Sequence, residues 1–167
     1  MKRFFEGLVM AAVTAGFLCI AVGEAVAKNP ERPYRARGQE MLVGSCELAG
    51  QVGELYEGSL IATHAGLSET STCVIVTGAF PPLYKFVGRG VGTAANGDLL
   101  YFSVDGTTDV SEDPCVSEFT ASFAGGTGRF DGASGQAQGE STRPWVEGMP
   151  FVCGPEQSTT LNGTIVY

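Results

Sequence analysis

Beyond residue 28, apolar residues recur at every second position in short runs, and each run is cut off by glycine, proline or Asn-Gly. A period of two puts successive side chains on opposite faces of an extended strand. Nothing in that stretch repeats at the spacing of an amphipathic helix. The pattern restricts the chain to an all-β domain. Eight strands are predicted, at about 34–44, 57–64, 67–77, 84–94, 98–106, 116–124, 129–140 and 158–167.

The connections suggest how the strands are arranged. Strands two and three meet at Ala65-Gly66, four and five at Ala95-Asn-Gly-Asp98, and six and seven at Gly125-Gly-Thr-Gly128. Asn and Gly tolerate positive φ, so the second of these is a strong hairpin signal. Segments 45–56, 78–83, 107–115 and 141–157 are longer. If strands alternate in direction, the tight turns gather at one end and the long loops at the other. The expected object is an eight-stranded antiparallel up-and-down β-barrel, calycin-like, with a short-turned base and a loop-rich mouth.

Parity assigns the interior faces. Leu100, Phe102 and Val104 share one face, as do Phe119, Ala121 and Phe123, and Leu161, Ile165 and Tyr167. On strand four Phe86, Gly88, Gly90, Gly92 and Ala94 align. A glycine stripe weakens a strand and marks bending or close backbone approach.

The first 27 residues read as a signal peptide. Lys2 and Arg3 precede an apolar run from Gly7 to Val22, and Ala25-Val-Ala27 offers a small-x-small cleavage site. The expected mature protein is a single domain over 28–167, secreted or periplasmic, with no membrane span after cleavage. Cys19 belongs to the apolar run, because bulky Leu18 before it does not suit a lipobox. The formal net charge is −8. Nucleic-acid binding needs clustered cations, and the one basic stretch, Arg32, Arg35 and Arg37, reads as a solvated arm.

Setting Cys19 aside leaves Cys46, Cys73, Cys115 and Cys153, an even count that in an exported chain reads as two disulfides. All four are expected near the mouth, three of them in loops. Two pairings join neighbouring positions: Cys46–Cys73 with Cys115–Cys153, or Cys46–Cys153 with Cys73–Cys115. The first is preferred. The long spacings argue against zinc, and His64 is the only histidine. No metal or cofactor is expected. His64 itself reads as a strand-end residue bonded to a turn carbonyl at the base.

Other chemistry is sparse. Glu118 and Asp105 fall on outer faces, Asp98 belongs to a turn, and Asp109, Glu112 and Asp113 form a solvated acidic loop. No interior carboxylate is predicted. Trp145, Met149, Pro150 and Phe151 beside Cys153 could plug the cup, floor a cavity or face a partner.

The segment Phe123-Ala-Gly-Gly-Thr-Gly-Arg-Phe-Asp-Gly-Ala-Ser-Gly-Gln-Ala-Gln-Gly139 resembles the glycine hairpin shared by plant allene oxide cyclases and dirigent proteins, and a similar one in secreted bacterial proteins. The matching residues are Gly125, Gly126, Thr127, Gly128, Phe130, Gly132, Gly135 and Gln136. Gly88 to Gly92 followed by Ala95-Asn-Gly-Asp98, and Thr63-His-Ala-Gly66, extend the likeness. The resemblance implies an eight-stranded barrel of the allene oxide cyclase type. In those families the barrel cyclises a fatty-acid epoxide or orients phenoxy-type intermediates. The matching hairpin is structural, so catalytic residues stay unassigned.

The expected function is a non-catalytic binding module for a small apolar ligand, with Phe102, Phe119, Phe123 and Trp145 lining the cavity. The alternatives are a cyclase or isomerase, for which Tyr101, Tyr84 and Glu118 would be inspected first, and a structural or interaction protein of the cell envelope. The ligand readings require a hollow barrel with an inward tyrosine or carboxylate in the enzymatic case. The structural reading requires a filled one.

Overall fold

The computed structural model describes residues 29–167. The signal-peptide reading and Cys19 lie outside the described residues. The barrel strands are β1 (Arg32–Leu48), β2 (Gln51–Ala62), β3 (Gly66–Phe80), β4 (Leu83–Ala94), β5 (Leu99–Asp109), β6 (Cys115–Gly126), β7 (Ser134–Arg143) and β10 (Glu156–Val166). A small hairpin, β8 (Trp145–Val146) and β9 (Met149–Cys153), lies between β7 and β10. The barrel closes in the order β1-β10-β7-β6-β5-β4-β3-β2. Every neighbouring pair is antiparallel, including the closing pair β1–β10, where Tyr34 faces Gly163 and Ala36 faces Leu161. Closure leaves no edge of the barrel sheet unpaired.

Three differences from the sequence reading have local causes. Residues 45–48 and 51–56 are not loop: they continue β1 and β2 into a long hairpin that turns at Ala49-Gly50, both with positive φ. Residues 78–80 likewise extend β3 to a turn at Pro81-Pro82. β7 starts at Ser134 rather than near 129, because Gly128–Phe130 winds into a 3-10 turn. Arg35 and Arg37 are not on a free arm either. They sit exposed on β1, and Arg32 lies over the Tyr167 ring, 4.7 Å from its centroid.

The 3-10 turn closes the base. It carries Phe130 into the barrel axis, where 1% of its surface stays exposed. Burying a phenylalanine this fully contributes about 1.5–3 kcal/mol. Small inner residues make the room: Ala36 pairs with Ala62, and Ala94, Ala133 and Ala137 complete the cluster with Leu60, Leu100 and Ile165. Tyr34 meets Phe123 edge-on at 4.7 Å, and Phe130 meets Tyr167 at 5.4 Å. The Asn96-Gly97 turn is tied to the same end by Asp98, which pairs with Arg129 at 3.3 Å.

The glycine stripe on β4 is explained by its neighbours. A Cβ on Gly90 would strike the Phe102 ring, and one on Gly88 would come within 2.8 Å of Val104 Cγ2. The stripe is a trough into which β5 side chains lie. Gly139 of β7 does the same for the Phe119 ring.

Candidate ligand cavity

Above the packed base the barrel is hollow, with a cavity of about 370 Å³. Its walls differ in chemistry. On β4, β5 and β6 the lining is mostly apolar, with Phe86, Phe102, Val104, Phe119, Ala121 and Phe123; Tyr84, Thr108 and Ser117 are the hydroxyls on these strands. On the strands across the ring it is largely hydroxyl, amide and carboxylate: Glu40, Thr70, Thr72, Ser141, Gln157 and Thr159.

The polar residues form a belt that the register dictates. Thr108 of β5, Ser117 of β6, Ser141 of β7 and Thr159 of β10 face one another in turn across paired strands. Glu40 of β1 pairs with Gly58 of β2, which pairs with Thr70 of β3. Glu40 therefore reaches both ways. Its Oε1 accepts from Thr70 Oγ1 at 2.9 Å. Its Oε2 accepts from Gln157 Nε2 at 2.9 Å and Thr159 Oγ1 at 3.0 Å. Because Thr159 gives its proton to Glu40, the 2.9 Å contact between Ser141 and Thr159 must run from Ser141. Thr108 and Ser117 form a second buried pair at 2.8 Å.

Glu40 is 9% exposed and the belt hydroxyls are buried as well. Buried polar groups persist only when hydrogen-bonded, and the belt meets that requirement from within the barrel. The only salt bridge among the described residues is Arg129–Asp98 at the base. Glu40 therefore has neutral donors around it and no cation within ion-pair distance.

A second polar group sits nearer the mouth. The buried Tyr56 hydroxyl donates to Glu54 Oε2 at 2.6 Å and accepts from Arg143 Nη1 at 2.6 Å. Burial is the main reason the Tyr56 phenol is held well above the usual tyrosine range; Arg143 opposes it, while Glu54 and, more weakly, Glu40 push the same way as burial. In the packed base, burial alone pushes Tyr34 up to about 12. Arg143 Nε is buried with no hydrogen-bond partner among the described residues.

Of the predicted lining residues, Phe102, Phe119 and Phe123 line the cavity. Trp145 does not: its ring meets that of Phe151 at a tilt, centroids 5.3 Å apart, in the β8–β9 hairpin. That hairpin reaches the cavity through Phe151, Val152 and Cys153 instead. Tyr84 lines the cavity, whereas Tyr101 (42% exposed) and Glu118 face outward. His64 is at the base, exposed, with Nε2 3.1 Å from the Pro33 carbonyl. In the acidic loop the Ser111 side chain, and its N–H donating to Asp109 Oδ1, hold the Asp109 carboxyl below the usual range.

The disulfides are Cys46–Cys73 and Cys115–Cys153, but only one frames the mouth. Cys73 alternates with the cavity-lining Thr72 and Val74, which puts its bridge on the outer wall. Cys115 is fully buried and ties β6 to the β8–β9 hairpin over the cavity.

The expectation of no interior carboxylate was wrong: Glu40 and Glu54 both line the cavity, and Glu40 is the buried one. The signal was present. Continuing the Tyr34, Ala36, Gly38 parity by one step reaches Glu40, and continuing the Phe119–Phe123 face backward reaches Ser117. No protein-family model matches this sequence, and no curated protein is significantly similar to it.

Proposed function

We propose that this protein is an exported β-barrel binding module that holds a small, largely apolar molecule in its interior. The observation that carries this reading is the cavity of about 370 Å³, with a phenylalanine-rich wall on one side and a few convergent polar groups on the other. Concave, mostly apolar sites of this size with sparse polar anchors are the usual form of small-molecule pockets. Two disulfides accord with export, since such bonds persist in oxidising compartments. No helix among the described residues is long and apolar enough to cross a membrane.

The test is native mass spectrometry of protein purified from its own host, followed by thermal melts with a panel of apolar molecules. A retained small molecule, or a rise in melting temperature that tracks ligand concentration, is the expected result. A protein that comes through empty and is stabilised by nothing in the panel would sink the reading.

One group supports an alternative, a cyclase or isomerase related to the barrels that the glycine hairpin resembles. Tyr56 is a buried phenol on the cavity wall that donates to Glu54 and accepts from Arg143. Turned from Glu54 toward a bound oxygen, its proton would serve a reactive intermediate as a general acid. Conversion of a bound candidate substrate that Tyr56→Phe abolishes, with binding retained, would favour this over simple binding. The envelope-protein reading required a filled barrel, and the cavity counts against it.

A further inference from the structure

We infer that the cavity selects amphiphilic amines: molecules with an ammonium head and an apolar, preferably aromatic or aliphatic, body. This rests on the binding reading above and names the ligand class for the same cavity.

The inference starts from the charge balance of the interior. Three charged side chains line the cavity: Glu40, Glu54 and Arg143. Arg143 and Glu54 both hydrogen-bond the Tyr56 hydroxyl, so they sit on either side of one oxygen and offset each other. Glu40 is left over. It is buried, its three donors are neutral, and no cation is within ion-pair distance among the described residues. A carboxylate presents about four lone-pair sites, and three are taken. The remaining acceptor site and the uncompensated charge both suit an N–H donor carrying positive charge.

The opposite wall suits the rest of such a molecule. In the ring order, β5 is four strands from β1 in either direction. Phe102 of β5, with Phe86 and Phe119 of the adjacent strands, therefore faces Glu40 across the barrel. Phenylalanine faces bury an apolar body, and they also attract a cation rather than repel it. An anionic head would meet two carboxylates and a single guanidinium, whose Nη1 is bound to Tyr56 and whose Nε is its buried donor left open.

Isothermal titration of the purified protein with phenylbutylamine, phenylbutanol and phenylbutyrate holds the body constant and varies the head. The amine is expected to bind roughly tenfold or more tightly than the alcohol, about the size of one charge-assisted hydrogen bond, and the acid most weakly. Glu40→Gln should bring the amine down to the level of the alcohol. If the acid or the alcohol binds as well as the amine, the charge selectivity is wrong and the binding reading survives. If none of the three binds, the binding reading fails with it. If Glu40→Gln does not fold, the order of the three heads on the unaltered protein still decides. If it folds and keeps the preference for the amine, Glu40 is not the anchor.

Discussion

The two ends of the barrel are built from the same eight strands, yet one is packed solid and the other is hollow. At the base the inward positions are Ala36, Leu60, Ala62, Ala94, Leu100 and Ile165, closed by Phe130. Two to four inward positions further toward the mouth, the lining becomes Glu40, Thr70, Thr108, Ser117, Ser141 and Thr159. A closed barrel needs one well-packed layer to hold its register, and the base supplies it. Above that layer side chains need not meet in the middle, so the wall can carry hydroxyls and a carboxylate. The division places the packed core and the proposed binding cavity at different heights of one architecture. A change at one height should then leave the property of the other height intact.

The largest expected effect lies at the base. Phe130→Ala removes the side chain that stops the barrel and should cost about 3–5 kcal/mol, as large-to-small changes at buried aromatic positions do. The mouth counterpart is Phe151→Ala. Phe151 is 59% exposed, and surface truncations fall within about 0.5 kcal/mol of zero. Urea unfolding of the two variants measures both. Comparable losses would show that the mouth carries as much of the fold as the base.

The disulfides allow a finer separation, because they close loops of similar length on different sides of the wall. The sequence separations are 27 for Cys46–Cys73 and 38 for Cys115–Cys153. Loop-closure entropy gives each about 3–4 kcal/mol. Replacing either pair by serine should therefore destabilise the protein by a similar amount. Only loss of Cys115–Cys153 should also change the affinity for an apolar molecule, because only that bridge holds the β8–β9 hairpin at the cavity. Equal effects on affinity would show that the outer bridge also shapes the interior.

The base was far more legible in the sequence than the mouth. Asn96-Gly97 and the alternation of Leu100, Phe102 and Val104 follow from local rules that act within a few residues, and they place strands and faces correctly. The Gly125–Gly128 turn was recognised, but Phe130 was read as part of a strand, because a single 3-10 turn has no period to detect. At the mouth the reading failed where long-range pairing overrides composition. Residues 45–56 contain Gly50 and Gly53 and look like loop, but both arms gain a hydrogen-bonded partner strand once the hairpin extends. Glu40 was missed for a different reason. A lone glutamate in a strand is usually solvated, and its burial is stabilised only by donors from β3 and β10, as far as 119 residues away in sequence.

The smallest effect, and the sharpest test of independence, is the titration of the two buried tyrosines, one at each height. Tyr34 in the base is held at about 12 by burial, against an ordinary value of 10.0. Its folded form keeps the proton more tightly than its unfolded form. The resulting stabilisation is complete below pH 10 and is lost as the pH rises toward 12, about 2–3 kcal/mol in all. Tyr56 at the mouth is also raised, but there Glu54 and Arg143 add opposing contributions to the burial. Following tyrosinate absorbance with pH should show two of the five tyrosines ionising late. Glu54→Gln should bring Tyr56 down without moving Tyr34, and Arg143→Met should push Tyr56 further up, again without moving Tyr34. A shift of both tyrosines in either variant would mean that the polar belt and the packed base are electrostatically or mechanically one unit, and the division of labour between the two ends would have to be given up.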